Sequence, residues 1–161
     1  MKRLVVYYSF EGNTKESAER IAKGLKADIC RVIPVRDIPI AAPGKFLTGG
    51  FQAMIGRKAP IKPLSSDLND YDEIIIGTPV WAGFCAPFIN TIIKDESVRN
   101  KVTSVFTLSG SGNNSRCIKS LKKRLPNLKN CVSLIDRVGK GAADNKKKTE
   151  GFVAEIIGVT N

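Results

Sequence analysis

Apolar and polar positions fall into two alternating rhythms along this chain. Five short runs read as strands: Leu4 to Tyr8, a segment near Asp28 to Val35, Asp72 to Thr78, Val102 to Leu108, and a stretch within Cys131 to Arg137. They are rich in Val, Ile and aromatic residues, and near-continuous apolar character marks strands buried on both faces. Between them the spacing turns helical. Thr14 to Leu25 carries Ala18, Ile21, Ala22 and Leu25 at i, i+3, i+4 and i+7, with Lys15, Glu16, Glu19, Arg20 and Lys23 outside that stripe. Gly12 or Asn13 can cap it. A third helix opens at Pro87, suited to a first-turn position, and turns Phe88, Ile89, Ile92 and Ile93 inward. A fourth carries Ile118, Leu121 and Leu125 and is closed by Pro126, and a last one near Lys146 to Ile157 offers Phe152, Val153, Ile156 and Ile157. Residues 36–70 resist this reading, because Pro39, Pro43, Pro60 and Pro63 forbid a long regular element. Parallel neighbours need a crossover, so a short helix is expected around Phe46 to Ile55, weakened by Gly49 and Gly50.

Strands alternating with helices throughout predict an α/β fold: a three-layer doubly wound parallel sheet of five strands, formed by one domain over residues 1–161. A chain of this length can bury a sheet on both faces. No apolar run reaches the ~20 residues of a membrane span, and Met1-Lys2-Arg3 leads into a run too short for a signal peptide, so a cytoplasmic protein is expected.

Charge adds less than its size suggests. The net value is +11, with 26 Lys and Arg against 15 Asp and Glu. It could answer to a nucleic acid, an acidic partner, or nothing specific. Its densest runs, Lys119 to Arg124 and Lys146 to Lys148, sit on helices without interleaved aromatics and read first as solvated faces, then as docking for an acidic protein. Four scattered cysteines (Cys30, Cys85, Cys117, Cys131) with no C-x-x-C pair and no histidine give no metal set and read as free, mostly buried thiols. The absence of histidine also removes the commonest general base. No residue is singled out as catalytic.

The chemistry sits in three polar, glycine-bearing turns, all at carboxyl ends of strands, where doubly wound sheets bind ligands. Strand one stops at Ser9-Phe10-Glu11-Gly12-Asn13-Thr14 before a helix. A hydroxyl- and glycine-rich turn at a helix N-terminus holds phosphate through N–H groups and partial positive charge. Strand three runs into Pro79-Val80-Trp81-Ala82-Gly83-Phe84, and strand four into Ser109-Gly110-Ser111-Gly112. Nucleotide fingerprints fail: there is no G-x-x-x-x-G-K-[ST], and Gly110-Ser111-Gly112 lacks the third glycine of G-x-G-x-x-G, where Ser115 stands.

These residues resemble the flavodoxin family. Val5-Val6-Tyr7-x-Ser9-x-x-Gly12-x-Thr14-x-x-x-Ala18-x-x-Ile21 matches its phosphate-loop signature at every constrained position, and the turns after strands three and four are similar to its second and third loops. The resemblance covers nearly the whole chain and implies FMN, with strand order 2-1-3-4-5. It implies that Ser9, Gly12, Asn13 and Thr14, with the backbone of Phe10 and Glu11, enclose the phosphate. Trp81, otherwise a core tryptophan, would stack on the flavin ring, and Pro79, Val80 and Phe84 would flank it. The Ala82-Gly83 peptide would face N5, its carbonyl turning as the semiquinone forms, and Ser109, Gly110, Ser111 and Gly112 would hold the pyrimidine edge.

Two departures stand out. Residues 109–114 contain no aromatic for the outer flavin face, leaving Phe84, Phe46 or Phe51 to cover it, or leaving it open. Flavodoxins that carry electrons are typically acidic, whereas this chain is basic; a basic surface would make the second reduction potential less negative. The resemblance therefore implies electron transfer through the flavin semiquinone and hydroquinone, with a redox partner presenting an acidic patch. The alternative is an FMN-dependent NAD(P)H:acceptor (quinone) oxidoreductase. A flavin-free binding module is a third reading, disfavoured by the intact phosphate loop and Trp81.

Overall fold

Strand β1 (Arg3–Tyr7) lies inside the sheet, between its neighbours on either side, and is buried from Leu4 onward. The computed structural model describes residues 1–36, 57–136 and 141–159. In chain order the elements are β1, α1 (Asn13–Leu25), β2 (Asp28–Arg31), a 3-10 turn at Leu68–Asp70, β3 (Glu73–Trp81), β4 (Phe84–Cys85), α2 (Pro87–Ile92), α3 (Glu96–Arg99), β5 (Val102–Ser109), α4 (Ser115–Arg124), β6 (Asn130–Ile135) and α5 (Asn145–Ile157). The parallel strands are ordered β2-β1-β3-β5-β6, and β4 pairs antiparallel with β3. Counting parallel strands alone, this is the 2-1-3-4-5 order expected. The β4 hairpin is an addition that the sequence reading does not contain.

Period-two alternation along each strand divides the interior into two cores. Leu4, Val6, Ile74 and Ile76 pack on one face with Phe88 and Ile89 of α2 and Leu121 of α4. Val5, Tyr7 and Ile75 pack on the other with Ala18 and Ile21 of α1 and Phe152 of α5. Both faces are covered, which is why these strands read as unbroken apolar runs. Of the apolar residues at the end of α5, Ile157 is exposed and adds nothing to the core. Gly77 lies opposite Phe106 in the β3–β5 pair, and a Cβ there would run into that ring.

β2 is shorter than expected, for a reason visible in the chain. The Val32 N–H still donates to Tyr7 O at 2.8 Å. Residue 34 is in phase with 32, but it is proline and has no N–H to continue that ladder. Pairing there passes to the other side: Lys62 N–H donates to Ile33 O at 2.8 Å, and Val35 N–H to Pro60 O at 3.0 Å. The short helix expected near residues 46–55, with Gly49, Gly50, Phe46 and Phe51, lies outside the described residues. Among the described residues no helix is long and apolar enough to cross a membrane.

Candidate functional site

The carboxyl ends of β1, β3 and β5 meet around a cavity of about 390 Å³, within the usual range of a small-molecule site. The turn after β1 supplies one wall. Ser9 is buried and its hydroxyl accepts the Gly12 N–H at 3.1 Å. Gly12 takes φ +91°, a left-handed conformation glycine enters without steric cost, and caps α1 with no side chain on the helix end. The first N–H groups of α1 therefore point, unclaimed by a cap, toward the cavity that Asn13 and Thr14 border.

The second wall is a tight hairpin. Trp81 pairs with Phe84 and Val80 with Cys85, leaving Ala82 and Gly83 as a two-residue turn. Both have positive φ, +50° and +84°, as a turn matching strand twist demands. For Ala82 the left-handed region costs on the order of 1 kcal/mol. Thr78 clasps the base: its hydroxyl accepts from Ala86 N–H at 3.0 Å and donates to Pro79 O at 2.9 Å. Trp81 stands edge-on to Tyr8 and Phe10, with ring centroids 5.9 and 6.2 Å away. This aromatic wall is stiff before any ligand arrives.

The turn after β5 repeats the first in miniature: Gly112 N–H donates to Ser109 Oγ at 3.1 Å, and Gly112 has φ +70°. Of this turn only Gly110 borders the cavity, together with Leu108 of the strand before it. Asp136, just beyond β6, completes the lining, and its N–H is tied to Ser109 O at 3.0 Å.

Of the residues expected at the site, Ser9, Phe10, Glu11, Asn13, Thr14, Pro79, Val80, Trp81, Ala82 and Gly110 border the cavity. Gly12, Gly83, Ser109, Ser111 and Gly112 do not line it and shape the turns instead. Phe84 does not border the cavity, and its ring lies 4.5 Å from the Arg116 guanidinium. Leu108 and Asp136 were not anticipated. Leu108 could have been found as the last residue of a strand whose following turn had already been singled out; Asp136 lies past an edge strand and carries no local signal.

Among the described residues, the charged ones on the lining are Glu11 and Asp136. Burial, and then the charge of Glu11, push the Asp136 carboxyl above its ordinary range. Among the described cations, Arg31 donates to Ser9 O at 3.4 Å and Arg116 sits on Phe84. The described groups able to hold an anion here are N–H groups, hydroxyls and the positive end of α1. Charges beyond about 8–10 Å are screened at physiological salt, so the net +11 does not set the local field.

A doubly wound sheet with a strand-to-helix anion turn, an aromatic hairpin wall and a third backbone turn defines a flavin-site architecture, and the donors fit a phosphorylated flavin. Comparison with known proteins agrees. A family model described as flavodoxin matches residues 51–147, a stretch that includes the second and third loops. The chain belongs to the flavodoxin family. A flavoprotein of Lactobacillus acidophilus, solved in complex with FMN, is 28% identical, with 92% of this chain and 98% of that one covered and a TM-score of 0.67. A putative flavoprotein of Bacteroides eggerthii, 23% identical with a TM-score of 0.74 over 99% of each chain, shares the fold. A Rhizobium meliloti protein named NAD(P)H dehydrogenase (quinone) 3 is 31% identical over 118 residues, covering 68% of this chain and 54% of its own. The chain thus spans about half the length of the curated relatives it matches.

Proposed function

We propose that this chain binds FMN and passes single electrons between protein partners. The observation that carries the reading is the conjunction of the uncapped α1 N-terminus behind Ser9–Thr14 with the positive-φ hairpin Trp81–Phe84 across the same cavity. The phosphate would rest on the Ser9 and Thr14 hydroxyls and the α1 N–H groups, and Trp81 would lie along the ring system. Bound FMN supplies an acceptor that takes up electrons one at a time.

The protein's own part is to set the energy of each charge state. Gly83 leaves the Ala82–Gly83 peptide free to turn, and Ala82, already in the left-handed region, lowers the cost of leaving its present conformation. The half-buried Asp136 carboxyl on the lining disfavours added negative charge in the cavity. The second reduction potential is therefore expected to be low, against the expectation raised by the basic composition, and a redox titration checks it. A cytoplasmic location and a partner offering carboxylates go with this reading.

A second reading, an FMN-dependent NAD(P)H:quinone oxidoreductase, is supported by the names of the two relatives at 31% and 33% identity. One experiment separates them. The purified protein is loaded with FMN and titrated with NAD(P)H without oxygen. Bleaching by the nucleotide alone supports the oxidoreductase; bleaching only after a flavoprotein reductase is added, in two resolvable one-electron steps, supports the carrier. A protein that retains no FMN once unbound flavin has been removed overturns both.

A further inference from the structure

β6 is one edge of the sheet, and among the described residues nothing pairs with its outer side over most of its length. The Asp136 N–H points inward to Ser109 O, so Cys131, Ser133 and Ile135, of opposite phase, turn their N–H and C=O groups outward. Ile135 is already claimed: its N–H donates to Asn145 Oδ1 at 3.0 Å, and its carbonyl accepts from Asn145 Nδ2 at 2.6 Å. The outward groups of Cys131 and Ser133 have no such partner among the described residues. Their side chains floor a groove of about 720 Å³ against α4, walled by Lys119, Lys122 and Lys123. Across the edge, Lys147 and Lys148 of α5 flank Cys131 on the other face, with Glu155 beside them.

Three further facts bear on what this groove takes. From Ser97 to Ile135 the chain carries eight Lys and Arg and not one Asp or Glu, so no carboxylate of that stretch answers the α4 lysines. Asn114, almost wholly buried and bordering the groove's inner end, has an Oδ1 without a hydrogen-bond partner among the described residues. The same end reaches Gly112, so the groove opens beside the flavin cavity's third loop. A second copy of this chain is excluded by charge, since edge-to-edge pairing would press lysine rows together. Lysines beside an edge strand often do no more than prevent such pairing. That role alone does not account for three lysines that wall one side of a groove floored by Cys131 and Ser133.

We propose that the β6 edge is a docking strip for an acidic, extended segment of a partner protein. The segment adds as a further strand on the outward N–H and C=O groups of Cys131 and Ser133, with every second side chain a carboxylate facing Lys119, Lys122 and Lys123. Strand addition supplies main-chain bonds, and the alternating carboxylates supply selectivity. That the partner exchanges electrons rests on the function proposed above; the docking itself does not.

The test uses a fluorescent peptide of about ten residues, alternating Glu and Thr, long enough for one strand. Its binding is followed by anisotropy on both the FMN-loaded and the flavin-free protein, while visible absorbance reports the flavin separately. A protein that takes no FMN but binds the peptide refutes only the electron-transfer role. Saturable binding is expected, weakened about tenfold or more by K119E/K122E/K123E and by high salt. A comparable loss is expected when alternate peptide nitrogens are methylated, and with Ser133→Pro, which removes one outward N–H at an edge position that tolerates proline. No saturable binding, equal binding of a Lys-Thr peptide, binding that survives the triple charge reversal, or binding indifferent to N-methylation each overturns the proposal.

Discussion

The turns after β1 and β5 share one frame and serve different ends. In each, a serine closing a strand accepts at 3.1 Å the N–H of a glycine three residues on, and that glycine has positive φ. After Gly12 the chain enters α1 at once, so Asn13 and Thr14 face the cavity with the helix's positive end behind them. After Gly112 two asparagines intervene before α4, and the glycine is wedged against Ile135, where a Cβ would lie 2.6 Å from Cγ1. Under the function proposed above, the same turn serves as an anion cradle in one place and a backbone shelf in the other. What decides is the element that follows and what stands behind the turn.

The sharpest way to break this comparison removes hydroxyls from both turns. Ser9→Ala with Thr14→Val should weaken FMN binding by about 3 kcal/mol, on the order of 100-fold, since hydrogen bonds to a charged group are worth about 1.5–3 kcal/mol each. Ser109→Ala with Ser111→Ala should change it only a few-fold. Quenching of FMN fluorescence reads both, and equal losses would refute the division of roles. Substituting the glycines reverses the ranking. Gly112→Ala meets Ile135 at positive φ and should cost about 2–3 kcal/mol of stability. Gly12→Ala, with open space around it, should cost about 1 kcal/mol. Thermal unfolding of the two variants measures the difference.

The second loop has no Ser-x-x-Gly frame and depends on Thr78 instead. Thr78→Val leaves the Ala86 N–H without its acceptor in a buried position and should cost about 1–2 kcal/mol, with weaker FMN binding as the hairpin loosens. The smallest effect sits at Asp136. Its carboxyl is raised in the folded protein, so the folded state holds the proton more tightly than the unfolded one. That stability is complete below the ordinary carboxylate value near 3.9 and is lost as pH rises through the raised folded value. Asp136→Asn should flatten this decline in a melting series across acidic pH and tighten FMN binding a few-fold near neutrality. A variant with an unchanged pH profile would remove Asp136 from the account.

Much of this architecture was legible before folding, because it rests on local physics. Apolar runs and the stripe Ala18, Ile21, Ala22 and Leu25 specify strands and helices through period alone, and Ser9 to Thr14 announces an anion turn within a single stretch. Pro34, which ends β2, was also in view, although its consequence needed the phase of Val32 to be known. The β4 hairpin was hidden because Ala82 is a poor predictor of positive φ; the pairing of Trp81 with Phe84 imposes it. Phe84 was expected beside the flavin; it does not border the cavity, and its ring lies against Arg116, thirty-two positions along the chain.

By itself the sequence determined the class of fold and the chemistry of the phosphate turn, since both follow from residues adjacent in the chain or a helical turn apart. Tertiary structure decided which of the described charges border the cavity and which strand forms the edge beside α4. Those depend on groups distant in sequence: Glu11 meets Asp136 across the cavity, and the α4 lysines come to flank Cys131. Coulomb forces and desolvation act over ångströms of space, and separation along the chain does not report them.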